Sequence, residues 1–242
     1  MTISEQQVRE NLAAAYQICA LFGYDDLTFT HLSARVPNAK EFFILPFGLL
    51  FAEVTASSLL KVDFEGNVLE GTEYQYNKTG YVIHGSIYKN RPDLNAAFHL
   101  HTQSGIAVSA MHEGLLPISQ WALHFYERVS YHEYNSLALT TTDHEANLVK
   151  DLGKNNVMFL RNHGILTCGA TIHEAYIYLH HLHQACETQC KAMAAREQLI
   201  LPDKATCEKS VNDLLSFEPD IGQRDWQALL RLLKRKGINY EI

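Results

Sequence analysis

The chain has 242 residues, 47% of them hydrophobic and 19% charged, enough to bury a sizeable core and consistent with one domain over residues 1–242. Twenty Lys and Arg against 27 Asp and Glu give a formal charge of −7, which argues against non-specific binding to nucleic acid or to an anionic membrane. No apolar run approaches the roughly 20 residues of a membrane helix, Met1–Glu10 is polar, and the five cysteines lack CxxC or finger spacing; a cytoplasmic protein with reduced thiols is expected.

Ser4 followed by Gln7 predicts a capping box, and Val8, Leu12, Ala15, Ile18, Cys19 and Phe22 recur as one apolar stripe before Gly23, so the first element is a helix. Short β-rich runs follow at Thr28–Arg35, Phe42–Leu45 and Lys61–Phe64. Turn signals separate them at Pro37-Asn38, Pro46-Phe47-Gly48 and Glu65-Gly66-Asn67. Gly80–Lys89 returns to helical texture and stops at Arg91-Pro92-Asp93, where proline biases its predecessor away from helix. Leu94–His101 reads as a strand, and Asn156–Cys168 as a strand pair turning at Asn162-His163-Gly164, with a helix over Asp143–Gly153 between them. Ile172–Ile200 is a long helix and Asp225–Lys236 a terminal one, whose basic run Arg231–Lys236 suits a last turn. Helices alternating with short, interrupted strands predict an α/β sandwich with a mixed, mainly antiparallel sheet. The chain has no glycine-rich strand-to-helix turn of the kind a doubly wound nucleotide fold uses.

His99-Leu100-His101 closes the strand that begins at Leu94. Alternation puts His99 and His101 on one face with Cα atoms roughly 6–7 Å apart, close enough for two imidazoles to share one ion. A third ligand must come from elsewhere, and His163, beside Gly164 at the predicted turn, is the candidate. Three neutral imidazoles favour zinc or another divalent transition metal, and three protein ligands leave a coordination position open, as in catalytic zinc sites. Spacing alone favours an incidental His-x-His over a metal pair, since it does not bring His163 to the two. His180, His181 and His183 crowd one helix, where His183 and Glu187 form an i,i+4 pair. Polarity at a surface or interface is the preferred reading there, and a structural hydrogen bond is preferred for His84.

The runs NKTGYVIHGSIYKNRPDLNAAFHLHT and FLRNHGILTCG, with ILPFGLLFAEVTASSLLKVDFEG and HEAYIYLHHLHQACE, resemble the class II aldolase/adducin family over roughly residues 5–200. The resemblance implies a three-layer α/β/α domain and a homotetramer with its active site near a subunit interface. It implies zinc on His99, His101 and His163, in a metal-dependent lyase of carbohydrate metabolism. Such an enzyme cleaves a small hydroxy-carbonyl, sugar-like compound reversibly, the metal stabilising an enediolate; a related epimerase or decarboxylase fits the same motifs. The chain departs from the family at Gly80, which stands where the family carries its proton-transferring glutamate, with Glu73 a carboxylate off register. Tyr126 and Tyr131 are the candidate catalytic proton donors, with Tyr134 beside them, because family aldolases use a tyrosine from a neighbouring subunit; packing at the interface is an equal reading, and Trp121 stands where that tyrosine usually falls. The family's phosphate-holding positions match Thr30-His31, Phe47-Gly48 and Lys78-Thr79, where only the glycine is kept; Gly48, Lys78 and Thr79 are the candidate substrate-binding residues. FGLLFAEVTASSLLKVD reads closest to the adducin-like branch, so a non-catalytic binding module is the alternative.

Overall fold

A computed structural model describes residues 3–136, 141–217 and 219–242. Helix α1 (Glu5–Phe22) begins with the expected capping box: Gln7 N–H donates to Ser4 Oγ at 3.2 Å and Ser4 N–H to Gln7 Oε1 at 2.9 Å. It ends at Gly23, whose φ of 69° supplies the left-handed cap. Strands β1 (His31–Arg35), β2 (Glu41–Ile44), β3 (Leu60–Asp63) and β4 (Val68–Glu70) form an antiparallel half-sheet. Helix α2 (Lys78–Asn90) leads into β5 (Ala96–Leu100), and two short helices follow, α3 (Gln103–Ser109) and α4 (Gln120–Leu123). Then come β6 (Val129–His132), α5 (Thr141–Leu152), the hairpin β7 (Val157–Leu160) and β8 (Gly164–Gly169), and the helices α6 (Ile172–Ala194), α7 (Lys204–Phe217) and α8 (Gln223–Arg235).

The eight strands make one sheet in the order β4-β3-β2-β1-β5-β8-β7-β6, antiparallel throughout except for the parallel edge pair β6–β7. Helices α1 and α6 touch each other and one face, while α2 and α5 touch each other on the opposite side. The expected three-layer α/β/α arrangement with a mixed, mainly antiparallel sheet is therefore the observed one. Central strands β5 and β8 are buried at every position because both faces are covered. Tyr16 of α1 clamps the layers: its buried hydroxyl accepts from Leu32 N–H at 2.9 Å and Leu45 N–H at 3.3 Å and donates to the Leu32 carbonyl.

The structure shortens the long helix, which stops at Ala194 rather than Ile200. Nearly every residue from Lys191 to Ile200 is exposed, so no buried face remains to support further turns. It also adds β4, β6, α3, α4 and α7, where short elements or a weak apolar stripe left little local signal; only Cys207 of α7 is buried.

Candidate metal centre

Register in the middle of the sheet decides which side chains meet. His31 of β1 lies opposite His99 of β5, and Ser33 opposite Ala97, so all four share the face that α2 covers. His101 follows β5 by one residue. His163 occupies the three-residue loop between β7 and β8, where Asn162 adopts a φ of 56° and His163 N–H donates to the Leu160 carbonyl at 3.0 Å. Gly164 opens β8 so close to β5 that an added Cβ would lie 2.5 Å from the Leu100 carbonyl oxygen and 3.1 Å from the His101 ring. Only a glycine lets the two strands bring their histidines together there.

The result is convergence. His101 Nε2 lies 3.1 Å from His99 Nε2 and 3.0 Å from His163 Nε2. Two ligands at 2.0–2.1 Å from one tetrahedral zinc are roughly 3.3 Å apart, so the spacing fits a shared ion to within a few tenths of an ångström. Tautomers agree with this. His99 Nδ1–H donates to the Ile165 carbonyl at 3.0 Å, and His101 Nδ1–H donates to Asp26 Oδ2 at 2.9 Å. Both acceptors hold a proton on Nδ1 and leave the Nε2 lone pair for a cation. Burial pushes His99 well below the ordinary histidine range and His163 down to about 4, with the neighbouring imidazoles adding to the shift, so both are neutral at physiological pH. Among the described residues, His99, His101 and His163 are the one group of three or more His, Cys, Asp or Glu placed to hold a metal ion.

The space beside Gly80 is filled by an imidazole. A Cβ on Gly80 would lie 2.9 Å from Cδ2 of His31 and 3.1 Å from its Nε2. The ring centroid of His31 is 5.1 Å from that of His99. His31 thus stands between the triad and the first turn of α2, in the volume a longer side chain at position 80 would need. The helix explains the match: Gly80, His84 and Tyr88 recur every four residues on one face of α2, against His31 and Ser33 on alternate residues of β1. His31 Nδ1 and His84 Nε2 are 2.7 Å apart, His84 Nδ1 bonds Ser33 Oγ, and Ser33 Oγ lies 2.7 Å from the Tyr88 hydroxyl. His84 does make structural hydrogen bonds, as expected, and burial pushes it down to about 3.

The candidate substrate-binding residues gather at the start of α2. Phe47 N–H donates to the Gln75 carbonyl at 2.7 Å, tying the Pro46–Gly48 turn to this segment. Asn77 Nδ2 donates to the Phe29 carbonyl at 3.3 Å, tying in the loop before β1. Gly48 (φ 107°) and Lys78 are exposed, whereas the Thr79 hydroxyl donates to Asn77 Oδ1 at 2.8 Å. Glu73 is exposed on the turn before the helix.

The fold of one chain does not bring Tyr126 or Tyr131 to the triad. Tyr131 stacks on Phe159 at 5.6 Å under Arg161, and its hydroxyl accepts from Leu115 N–H at 2.9 Å. Strand alternation turns it away from His132, which lines the cleft with His163. Tyr126 is half-buried beside Leu115, Pro117 and Phe125. Tyr134 is the tyrosine that reaches the site, with its ring 6.4 Å from His163 on the same cleft. Asp26 and His31 escaped the sequence reading as partners of the triad. One of two adjacent aspartates and one histidine among thirteen offer no local signal, and periodicity on α2 was the available clue. Among the described residues the second histidine group forms no ion-binding cluster: Glu187 pairs with Lys191 at 3.0 Å, and His183 faces Ser104 Oγ at 3.4 Å.

Comparison with known proteins accords with this architecture. The Class II Aldolase and Adducin N-terminal domain family matches residues 10–190. The crystal structure of an aldolase II superfamily protein from Pseudomonas syringae superimposes with a TM-score of 0.92 at 43% identity, covering 100% of this chain and 98% of that one. An L-fuculose 1-phosphate aldolase from Glaciozyma antarctica superimposes with a TM-score of 0.83 at 29% identity, covering 96% and 91%. Rat alpha-adducin is 39% identical over 96% of this chain, which spans 34% of that longer protein. With most of its length matched by one family and a whole-chain structural counterpart, the protein belongs to the class II aldolase and adducin family.

Proposed function

We propose that the protein is a divalent-metal-dependent lyase of aldolase type acting on a small hydroxy-carbonyl, sugar-like compound, with zinc on His99, His101 and His163. The observation that carries this reading is the meeting of three Nε2 atoms whose Nδ1 protons are spoken for on two of the rings by Ile165 and Asp26. The solved L-fuculose 1-phosphate aldolase among its structural counterparts supports the reaction class. When bound, the cation supplies Lewis-acid stabilisation of negative charge developing on a substrate oxygen. The chain's own residues orient and hold. His99 and His101 are locked by their Nδ1 hydrogen bonds, His163 by the turn at Asn162, and Tyr134 lines the approach. Gly48, Lys78 and Thr79 take the far end of the substrate at the start of α2, where a cation and hydroxyls suit an anionic or hydroxylated group. A cytoplasmic homotetramer, with Tyr126 as the tyrosine offered to a second copy, belongs to the same proposal; among the described residues no helix is long and apolar enough to cross a membrane.

The test is metal content of purified protein by mass spectrometry, followed by retro-aldol assays on hydroxy-acids, ketoses and their phosphates. One equivalent of metal that is lost in His99→Ala, with aldehyde release from one substrate class, is the expected result. A metal-loaded protein inert across the panel would sink the lyase. One observation favours a second reading, a non-catalytic binding module: position 80 carries no carboxylate, in a chain 39% identical to alpha-adducin. That reading predicts stoichiometric partner binding that survives His99→Ala.

A further inference from the structure

The proposed reaction needs a group that takes up a proton and gives it back, and no carboxylate stands at position 80 to do so. The cleft beside His163 offers one a turn further on. It is lined by Ile83, three residues after Gly80 and so on the same face of α2, by Tyr134, by Arg161, and by His132, the last residue of β6. His132 Nδ1–H donates to Asp151 Oδ2 of α5 at 2.7 Å. That acceptor holds the proton on Nδ1 and leaves the Nε2 lone pair free in the neutral ring; among the described residues Nε2 has no hydrogen-bond partner. The His132 side chain keeps 14% of its surface exposed, so a molecule in the cleft can reach it. It makes no hydrogen bond or ring contact with the triad among the described residues, yet it is near enough that its charge is felt at His163. Nor is the pair needed to fasten its elements. Leu148 and Leu152 bury the inner face of α5, and β6 is held to β7 by its own ladder and by Arg161 N–H, which donates to the His132 carbonyl at 2.8 Å.

We propose that His132 is the proton carrier of that reaction and Asp151 its positioning residue. As the carbon–carbon bond breaks, Nε2 accepts the proton of the hydroxyl on the carbon that becomes the aldehyde. The electron pair of the broken bond stays with the carbonyl-bearing fragment, and a proton passes from Nε2 to the carbon that holds it. Atoms and charges balance, and nothing is oxidised or reduced. The inference rests on the lyase reading and supplies the group that Gly80 lacks, with a carboxylate fixing the tautomer of a base that faces the substrate.

Exchange of carbon-bound hydrogen for solvent deuterium reads the return step alone, without a complete substrate. Zinc-loaded protein is incubated in heavy water with pyruvate, hydroxyacetone, dihydroxyacetone and dihydroxyacetone phosphate, and labelling is followed by proton NMR. The wild-type protein should label at least one of these probes. His132→Gln should slow labelling by about 100-fold or more, and Asp151→Asn by less, with zinc content unchanged in both. Free imidazole should restore labelling to His132→Ala, which a merely structural histidine would not allow. Nitrogen NMR of protein carrying isotope-labelled histidine gives a second readout that needs no turnover. The His132 signals, assigned by their loss in His132→Gln, should show a protonated Nδ1 and a bare Nε2. Labelling at the wild-type rate in His132→Gln, or a proton found on Nε2 instead, overturns the assignment of His132 and leaves the lyase reading standing. Slowed labelling that imidazole does not rescue marks a structural role and overturns it too. Zinc-loaded wild-type protein that labels none of the probes overturns the lyase reading, and the assignment falls with it.

Discussion

Two histidine groups in this molecule lie on opposite sides of the sheet and differ in what their rings are bonded to. In the triad, a carbonyl and a carboxylate take the Nδ1 protons of His99 and His101, and the Nε2 atoms turn inward on one point. Around α6 the rings pair off instead: His124 Nδ1 lies 3.0 Å from His181 Nδ1, His180 Nδ1 3.0 Å from the Tyr24 hydroxyl, and His183 against Ser104. Among the described residues no carboxylate hydrogen-bonds these four rings, and no three of their nitrogens converge. Density of histidines does not make a metal site; acceptors behind the rings and a backbone that can close around them do.

That contrast can be broken most directly at the ligands. His99→Ala or His163→Ala should lower zinc affinity by more than the roughly 100-fold expected of a supporting residue, measured by competition with a chromophoric chelator. Removing the acceptor comes next. Asp26→Asn should weaken metal binding by about 10- to 100-fold with an unchanged circular dichroism spectrum, since it frees the His101 tautomer and leaves every ligand in place. Affinity equal to wild type would show that the Asp26 contact does not orient the ring. Gly164→Ala attacks the closure itself: with a Cβ 2.5 Å from the Leu100 carbonyl, β8 must shift from β5, costing about 1–3 kcal/mol by denaturant titration and weakening the metal site as well. Gly105, where an added Cβ would meet the Thr102 hydroxyl and the Ile165 side chain, offers a comparison outside the loop.

The smallest effect tests the other group. His181→Asn should leave metal content at the wild-type value and act through pH instead. Burial first, then the neighbouring imidazoles and, for His124, the Arg128 guanidinium push His124 down to about 3 and His181 to about 4. Unfolded imidazoles take up protons near pH 6.5. The folded state refuses those protons until a lower pH, so stability from these groups is full above about 6.5 and falls as pH drops from there toward about 4. Melting temperatures across that window should fall less steeply in His181→Asn than in the wild-type protein. Parallel slopes would remove this pair from the acid response.

Much of the frame was legible. Ser4, Gln7 and Gly23 mark both ends of α1, and Arg91-Pro92 marks the close of α2, because caps and proline act over three or four residues. The tail was less so: the pattern suggested a helix to Ile200, but the exposed surface after Cys190 gives it nothing to pack on. At the site, strand alternation put His99 and His101 on one face, and family resemblance supplied His163. The tyrosines were expected to act from a neighbouring subunit or to pack at its interface. Tyr131 stands in the predicted stretch, but its strand face points it at Leu115 and Phe159.

By itself, then, the sequence determined the longer elements, the shared face of His99 and His101, and the absence of a carboxylate at position 80. Those follow from periods of two and 3.6 residues and from the identity of single residues. Tertiary structure alone decided which distant groups complete the site. Asp26 reaches His101 across 75 residues of chain, His163 reaches it across 62, and His31 fills the space over Gly80 because β1 and β5 pair in one register. No local pattern encodes such meetings; sheet order and register do.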